Sequence, residues 1–228
     1  MRRAPLDATT TWSDVAARLD VAGAGVHRPS SFSIHLAEVL QTPASQLHGR
    51  TVVDAGCGSG LIAIAALAAG AAHVLAQDGD RAALDSTRHN VDAILGTEAL
   101  DRVSFVECDW QHLGLLRADV LVVNPPQRPS RAQRATDAEE LHLHDGGGAD
   151  GVDAMRLVLT AARTDEVIST ASALLDEAPL QLTTARFGPP HVISDSVVHH
   201  AAPWRSIHPD AEHPVRVLRW RRLGGATS

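Results

Sequence analysis

Val52-Val53-Asp54-Ala55-Gly56-Cys57-Gly58-Ser59-Gly60 sets how the rest of this 228-residue chain is read. A β-branched apolar run carries one acid near its end and meets three glycines at alternating positions. It then passes into the alanine-rich apolar stretch Leu61–Ala69. The order is buried strand, tight turn, helix. Glycine accepts a turn that needs positive φ and lets the main chain come close to a ligand. A glycine turn between a strand and a helix is the setting in which nucleotide-like ligands are held. The spacing is not GxGxxG, so a pyrophosphate-bridged dinucleotide is disfavoured.

Outward from this stretch the chain alternates strand and helix. His73–Gln77 reads as a strand, and Asp80 can cap a helix over Arg81–Leu95. Val103–Cys108 and Asp119–Val123 read as the next two strands. This alternation argues for an α/β fold, with a mostly parallel seven-stranded sheet and helices on both faces. Upstream, residues 12–19 read as a short helix with Ser13 as candidate cap. Ser30 and Ser31 precede an amphipathic segment with Ile34, Leu36, Ala37, Val39 and Leu40 on its apolar face. Residues 1–45 are therefore expected to be an N-terminal helical extension, and residues 46–228 the main domain. Downstream, Val167, Ile168, Ala171, Leu174, Leu175 and Ala178 form a helical stripe over Thr164–Ala178. That stripe leaves Arg156–Ala162 as the fifth strand, although Val152, Met155, Leu159 and Ala162 also fit a helix. Leu180–Phe187 and Val215–Trp220 are then expected to be closing antiparallel strands.

Composition excludes several chemistries. All 20 basic residues are Arg and there is no Tyr, so lysine Schiff bases, lysine bases and tyrosine bases are ruled out. The net charge of −7 disfavours a nucleic-acid partner, which needs concentrated positive charge. Arg216, Arg219, Arg221 and Arg222 are the local exception and read as a solvated sheet edge. No apolar run approaches the roughly 18 residues of a membrane span, and no apolar segment follows Arg2 and Arg3 to make a secretion signal. No membrane association is expected. Cys57 and Cys108 read as small core side chains, which favours a reducing, cytoplasmic setting.

In an open parallel sheet, ligands lie beyond the carboxyl ends of the strands. Those ends here are Asp54 with Gly56, Cys57, Gly58 and Gly60; Asp78; Asp109 with Trp110; and Asn124-Pro125-Pro126-Gln127. The acid-plus-glycine loop with the other strand ends resembles the class I S-adenosylmethionine (SAM)-dependent methyltransferases, which have a Rossmann-like fold. The resemblance implies SAM as cofactor and S-adenosylhomocysteine as product. It has the loop cradle the cofactor's amino-acid end, with Asp54 orienting the cationic group. Asp78 would accept the ribose hydroxyls, Asp109 the adenine amine, and Trp110 would cover an aromatic or apolar face. The two prolines after Asn124 cannot continue a ladder. They make a rigid turn whose Pro125 carbonyl and Asn124 side chain form an acceptor pair for an N–H₂ group, so Asn124, Pro125 and Pro126 are the candidate catalytic residues, acting by positioning.

Three stretches resemble one branch, the N/D-PP-aromatic methyltransferases that include the release-factor glutamine methyltransferases. These are Asp54–Gly60 with Asp78, Asn124-Pro125-Pro126, and Gly146-Gly147-Gly148-Ala149-Asp150-Gly151-Val152-Asp153. Pro29–Ser33 parallels a further segment of that family, which places Ser33 at the cofactor's amino-acid end. Two departures stand out. Gln127 replaces an aromatic residue that stacks on the target amide, and the roughly 50 residues before the first core strand are too few for the bacterial enzymes' docking bundle. Both favour N-methylation of a small molecule or peptide. A protein glutamine N-methyltransferase working with a partner subunit, and a non-catalytic SAM-binding subunit, are the alternatives. Residues 128–150 read as a charged lid, with Arg128, His142 and His144 as further substrate candidates and either histidine as candidate base. His142-x-His144 beside Asp145 is not expected to hold a metal, since this transfer needs none.

Overall fold

The computed structural model describes residues 6, 9–21, 26, 28–133, 145–172, 175, 177–199 and 212–224. Seven strands form one sheet: β1 (Thr51–Ala55), β2 (His73–Asp78), β3 (Val103–Glu107), β4 (Val120–Val123), β5 (Glu166–Ser172), β6 (His191–His199) and β7 (Glu212–Arg221). Their order is β3-β2-β1-β4-β5-β7-β6. The first five pair in parallel, and β7 runs antiparallel to both β5 and β6. The helices are α1 (Trp12–Arg18), α2 (Ser31–Leu40), α3 (Leu61–Ala68), α4 (Arg81–Leu95) and α5 (Asp153–Ala161).

The sheet separates two apolar cores. Val52, Val74, Val120, Val122 and Ile168 face α1–α4, whereas Val53, Ala55, Leu121, Val123 and Val167 face α5. Every residue of β4 is buried, as expected for a central parallel strand covered on both sides. Local chemistry fixes several helix starts. Asp80 accepts the Ala82 N–H at 2.8 Å and starts α4. Ser30 and Ser33 form a reciprocal cap on α2. On α1 the cap is Thr11 rather than Ser13: Thr11 Oγ1 accepts the Asp14 N–H at 3.1 Å, and the Asp14 carboxylate accepts the Thr11 N–H at 3.0 Å. Val15, Leu19, Leu36 and Leu40 join the core of the sheet's first face, so α1 and α2 share that core.

The C-terminal half departs from expectation in three places. Asp153–Ala161 is helix and Glu166–Ser172 is strand, the reverse of the expected order. The α5 stripe of Met155, Val158 and Leu159 packs on the sheet, while β5 is buried along both faces and so lacks the alternation that marks a half-exposed strand. Leu180–Phe187 is not a strand. Ala178–Gln181 forms a 3₁₀ turn, Phe187 makes one isolated bridge to Arg222, and the outer strand is His191–His199. Finally, β7 lies inside the sheet, so its arginines do not form a solvated edge. Arg219 is only 4% exposed. It donates to the carbonyls of Ala44 and Ser45 and faces Glu166 across 3.3 Å. Asp195 and Asp165 hold Arg216 and Arg222 at 3.3 and 2.9 Å.

Candidate cofactor and acceptor site

The strand order reverses between β1 and β4, and a cavity of about 200 Å³ opens beyond their carboxyl ends. The glycine loop and Asp54 form one wall, Asn124–Arg128 another, and Pro29–Ser33 before and within α2 a third; Trp110 and Ser172 complete it. The placement follows from the register. Asp54 pairs with Val122 and Ala55 with Val123, so the residues that leave the two strands, Gly56 and Asn124, emerge side by side.

The loop is anchored to β2. Gly56 and Cys57 both donate to the Gln77 carbonyl at 2.9 Å, and Gly58 donates to Asp78 Oδ2 at 3.0 Å. From behind, α4 supports it: Thr87 Oγ1 donates to the Gly58 carbonyl at 3.0 Å and Asn90 Nδ2 to the Ser59 carbonyl at 2.9 Å. Asn90 also grips both main-chain groups of Asp20 at 2.8 Å, tying the N-terminal segment to the same support. Gly56 has φ +76, and a Cβ there would lie 3.2 Å from the Trp110 indole. Only glycine lets Trp110 close over the loop in this conformation.

Asp54 is the electrostatic centre of the cavity. It is 2% exposed, and its Oδ2 has no hydrogen-bond partner. Burial, with the nearby charge of Asp78, pushes its carboxyl up to about 7, against the Ala63 main-chain hydrogen bond that acts the other way. A buried, unpartnered carboxylate oxygen facing a cavity is suited to a cation. Cys57 beside it is inert, because burial, with Asp54 second, drives its thiol far above the ordinary range. Asp78 and Asp109 stand at the ends of β2 and β3, next to the cavity rather than in its wall. Asp78 accepts from Gly58 and Asp80, and Asp109 lies against Gly79.

On the acceptor side, Asn124 Nδ2 donates to Ser33 Oγ at 2.9 Å and its Oδ1 accepts from Thr170 Oγ1 at 2.6 Å. Gln127 lines the cavity but is only 6% exposed, with its amide turned onto β5. The Arg128 side chain is fully buried and pairs with Asp145 at 2.5 Å. His142 and His144 lie outside the described residues. The glycine-rich segment after Asp145 forms the bed of the Asn124–Arg128 turn. A Cβ on Gly147 would lie 3.0 Å from the main chain of both Gln127 and Arg128, and one on Gly151 would lie 3.0 Å from the Gln127 carbonyl. Thr170 and Ser172, which the sequence reading missed, come from β5, and a segment read as helix offered no signal that they reach the site. Among the described residues, no group of His, Cys, Asp and Glu could hold a metal ion.

Residues 11–124, half of the chain, match the family described as ribosomal protein L11 methyltransferase (PrmA). The chain belongs to this family. It has the class I methyltransferase fold that the sheet order and helices describe, and the family is SAM-dependent. The ribosomal protein L11 methyltransferase of Legionella pneumophila strain Philadelphia 1 is 34% identical over 100 residues. That alignment covers 44% of this chain and 33% of the relative, so the chain spans about a third of the length of that curated relative. Among solved structures, the E. cuniculi Mtq2–Trm112 complex, responsible for the methylation of the translation termination factor eRF1, superposes with a TM-score of 0.55 at 17% identity, covering 88% of this chain and all of that one. Magnesium protoporphyrin IX methyltransferase from Synechocystis PCC 6803, with bound SAM, gives 0.54 at 15% identity and covers 85% and 80%. At these identities the likeness concerns the fold. The family match ends at Asn124, so the Pro125–Pro126 turn, the glycine-rich bed and β5–β7 lie beyond it.

Proposed function

We propose that this chain transfers the methyl group of SAM to a nitrogen of a protein or peptide acceptor, with Asn124 and the Pro125 carbonyl aiming that nitrogen. The observation that carries the reading is one cavity lined both by a buried carboxylate with an unpartnered oxygen, Asp54, and by the rigid Asn124-Pro125-Pro126 turn. The residues present fit SAM. Asp54 would hold the cationic amino-acid end, Ser33 would lie beside it, Asp78 would take the ribose, and Asp109 with Trp110 the adenine. SAM, when bound, supplies a methyl group that already carries its leaving group. The chain's own contribution is then placement. Asn124 Oδ1 retains a second acceptor site beyond the one Thr170 fills, and together with the Pro125 carbonyl it can accept both hydrogens of an acceptor N–H₂.

A protein acceptor is supported by the family name and the named relatives, which methylate a ribosomal protein. The N/D-PP branch is supported by Asn124-Pro125-Pro126 resting on its glycine-rich bed. We infer a cytoplasmic setting from the free Cys57 and Cys108; no helix among the described residues is long and apolar enough to cross a membrane. We further read residues 1–45 as an extension that closes the cofactor side of the cavity through Pro29–Ser33. A small-molecule acceptor is the second reading, favoured by Gln127 in the place of a stacking aromatic and by buried Arg128 in the cavity wall. The test is incubation with methyl-labelled SAM and an extract of the source organism, fractionated by size. Label on a protein or peptide supports the first reading, and label confined to small molecules replaces it with the second.

A further inference from the structure

We infer that Thr170 and Gln127 are positioning residues that fix which end of the Asn124 side-chain amide is offered to the acceptor. The inference rests on the reading above, in which the Asn124 carbonyl accepts the acceptor's N–H.

The two ends of an asparagine amide are nearly equal in size but opposite in hydrogen-bonding sense. Presenting –NH₂ instead of C=O would repel an N–H₂ acceptor. The structure resolves this choice by a directional chain that begins at a main-chain group. The Ser172 N–H can only donate, and Gln127 Oε1 accepts it at 2.8 Å. Gln127 is thereby set with Nε2 on the other side, where it donates to Thr170 Oγ1 at 2.8 Å. The Thr170 hydroxyl accepts from Gln127 and turns its own hydrogen to Asn124 Oδ1 at 2.6 Å. Asn124 Nδ2 is then left to donate to Ser33 Oγ at 2.9 Å. Ser33 in turn meets Ser30 Oγ at 3.2 Å within the α2 cap.

Reversing Asn124 would place a donor against the Thr170 hydroxyl hydrogen, at a position where Thr170 is 0% exposed and Gln127 6%. A buried donor without an acceptor is costly, so the chain holds one orientation. It also explains why Gln127 occupies the place of an aromatic side chain: its amide is the link between β5 and the turn, and both of its ends have partners on β5. Gln127 and both β5 groups, Thr170 and Ser172, lie outside the family match, so the device belongs to the acceptor-side half of the molecule.

The test compares Thr170→Val, Thr170→Ser and Asn124→Ala with the unmodified protein. Transfer from methyl-labelled SAM into the source extract is measured as an initial rate. S-adenosylhomocysteine affinity is measured by calorimetry, and the Asn124 side-chain NH₂ resonances, assigned by their absence in Asn124→Ala, by NMR. Thr170→Val is expected to lose roughly ten- to hundredfold in rate, as for one aligned hydrogen bond lost. Its S-adenosylhomocysteine affinity should change less than about threefold, its Asn124 NH₂ signals should shift or broaden, and Thr170→Ser should restore the rate and the signals. A Thr170→Val rate within about twofold of the unmodified protein, with Asn124→Ala inactive, overturns the positioning role and leaves the Asn124 reading intact. A normal rate in Asn124→Ala brings down that reading, and the inference with it. If Thr170→Val does not fold, Gln127→Met interrupts the same chain one link earlier and is read by the same outcomes.

Discussion

Replacing Asp54 with Asn should stabilise the ligand-free protein while removing its hold on the cofactor. Asp54 carries its charge into a site where it is only 2% exposed and has an oxygen without a partner. Its carboxyl stands at about 7 against an ordinary 3.8. At about 1.4 kcal/mol per unit, that gap amounts to ~4 kcal/mol against the ionised native state. The sign follows from linkage. Below the unfolded value both states are protonated and no stability is lost. Between about 4 and 7 the unfolded chain ionises first, so stability falls as pH rises, and above about 7 the loss is complete. An asparagine amide removes this loss but brings a buried N–H₂ that costs about 1–3 kcal/mol if unpaired. The expected net gain is about 1–3 kcal/mol above pH 7, or roughly 3–10 °C in melting temperature for a chain of this size. Thermal melts from pH 5 to 8.5, with and without S-adenosylhomocysteine, check this. The gap between variant and unmodified protein should widen as pH rises through 5–7, and the ligand should raise only the unmodified protein's melting temperature. Equal destabilisation of the variant at pH 5 and pH 8, or an undiminished ligand response, would refute the reasoning.

Other outcomes follow from the same geometry. S-adenosylhomocysteine should bind the unmodified protein up to about tenfold more tightly per pH unit between pH 5 and 7 and level off above, because its cationic end selects ionised Asp54; calorimetry across that range should find the slope absent in Asp54→Asn. Gly151→Ala places a Cβ 2.0 Å from Leu175 Cδ2 and 3.0 Å from the Gln127 carbonyl at φ +84. It should cost roughly 2–4 kcal/mol by chemical denaturation, since strain at positive φ adds to overpacking. Arg219→Met removes the buried cation that faces Glu166 and the carbonyls of Ala44 and Ser45. Because Glu166 keeps Arg50 and Arg221 at 3.4 and 3.8 Å, the loss falls on the two carbonyls left without a donor, and unfolding free energy should drop by about 1–3 kcal/mol by chemical denaturation.

The first half of the fold is legible because its signals are local. The glycine loop follows directly on Asp54, Asp80 caps the helix it precedes, and each parallel strand up to β4 is separated from the next by a helix or turn of its own. The second half is not, because its signals are tertiary. β5 is buried on both faces, so Val167, Ile168 and Ala171 can be laid on a helical stripe as readily as on a strand. In the outer strand β6 the apolar residues come as adjacent pairs, Val192-Ile193 and Val197-Val198, so no polar–apolar alternation marks it. The candidate site divides in the same way. Asp54 and Asn124 are readable at the strand ends they terminate. The burial of Gln127 depends on Thr170 and Ser172, more than 40 positions downstream, and the burial of Arg219 depends on carbonyls near residue 45.

The central claim is that one cavity holds SAM through Asp54 and aims an acceptor nitrogen through Asn124. The most direct measurement is methyl transfer from labelled SAM by the unmodified protein and by Asn124→Ala, with S-adenosylhomocysteine affinity determined for both. Transfer that collapses in the variant while affinity stays within a few-fold is the predicted result. Transfer that persists without the Asn124 side chain, or firm binding with no transfer by either protein, would contradict it.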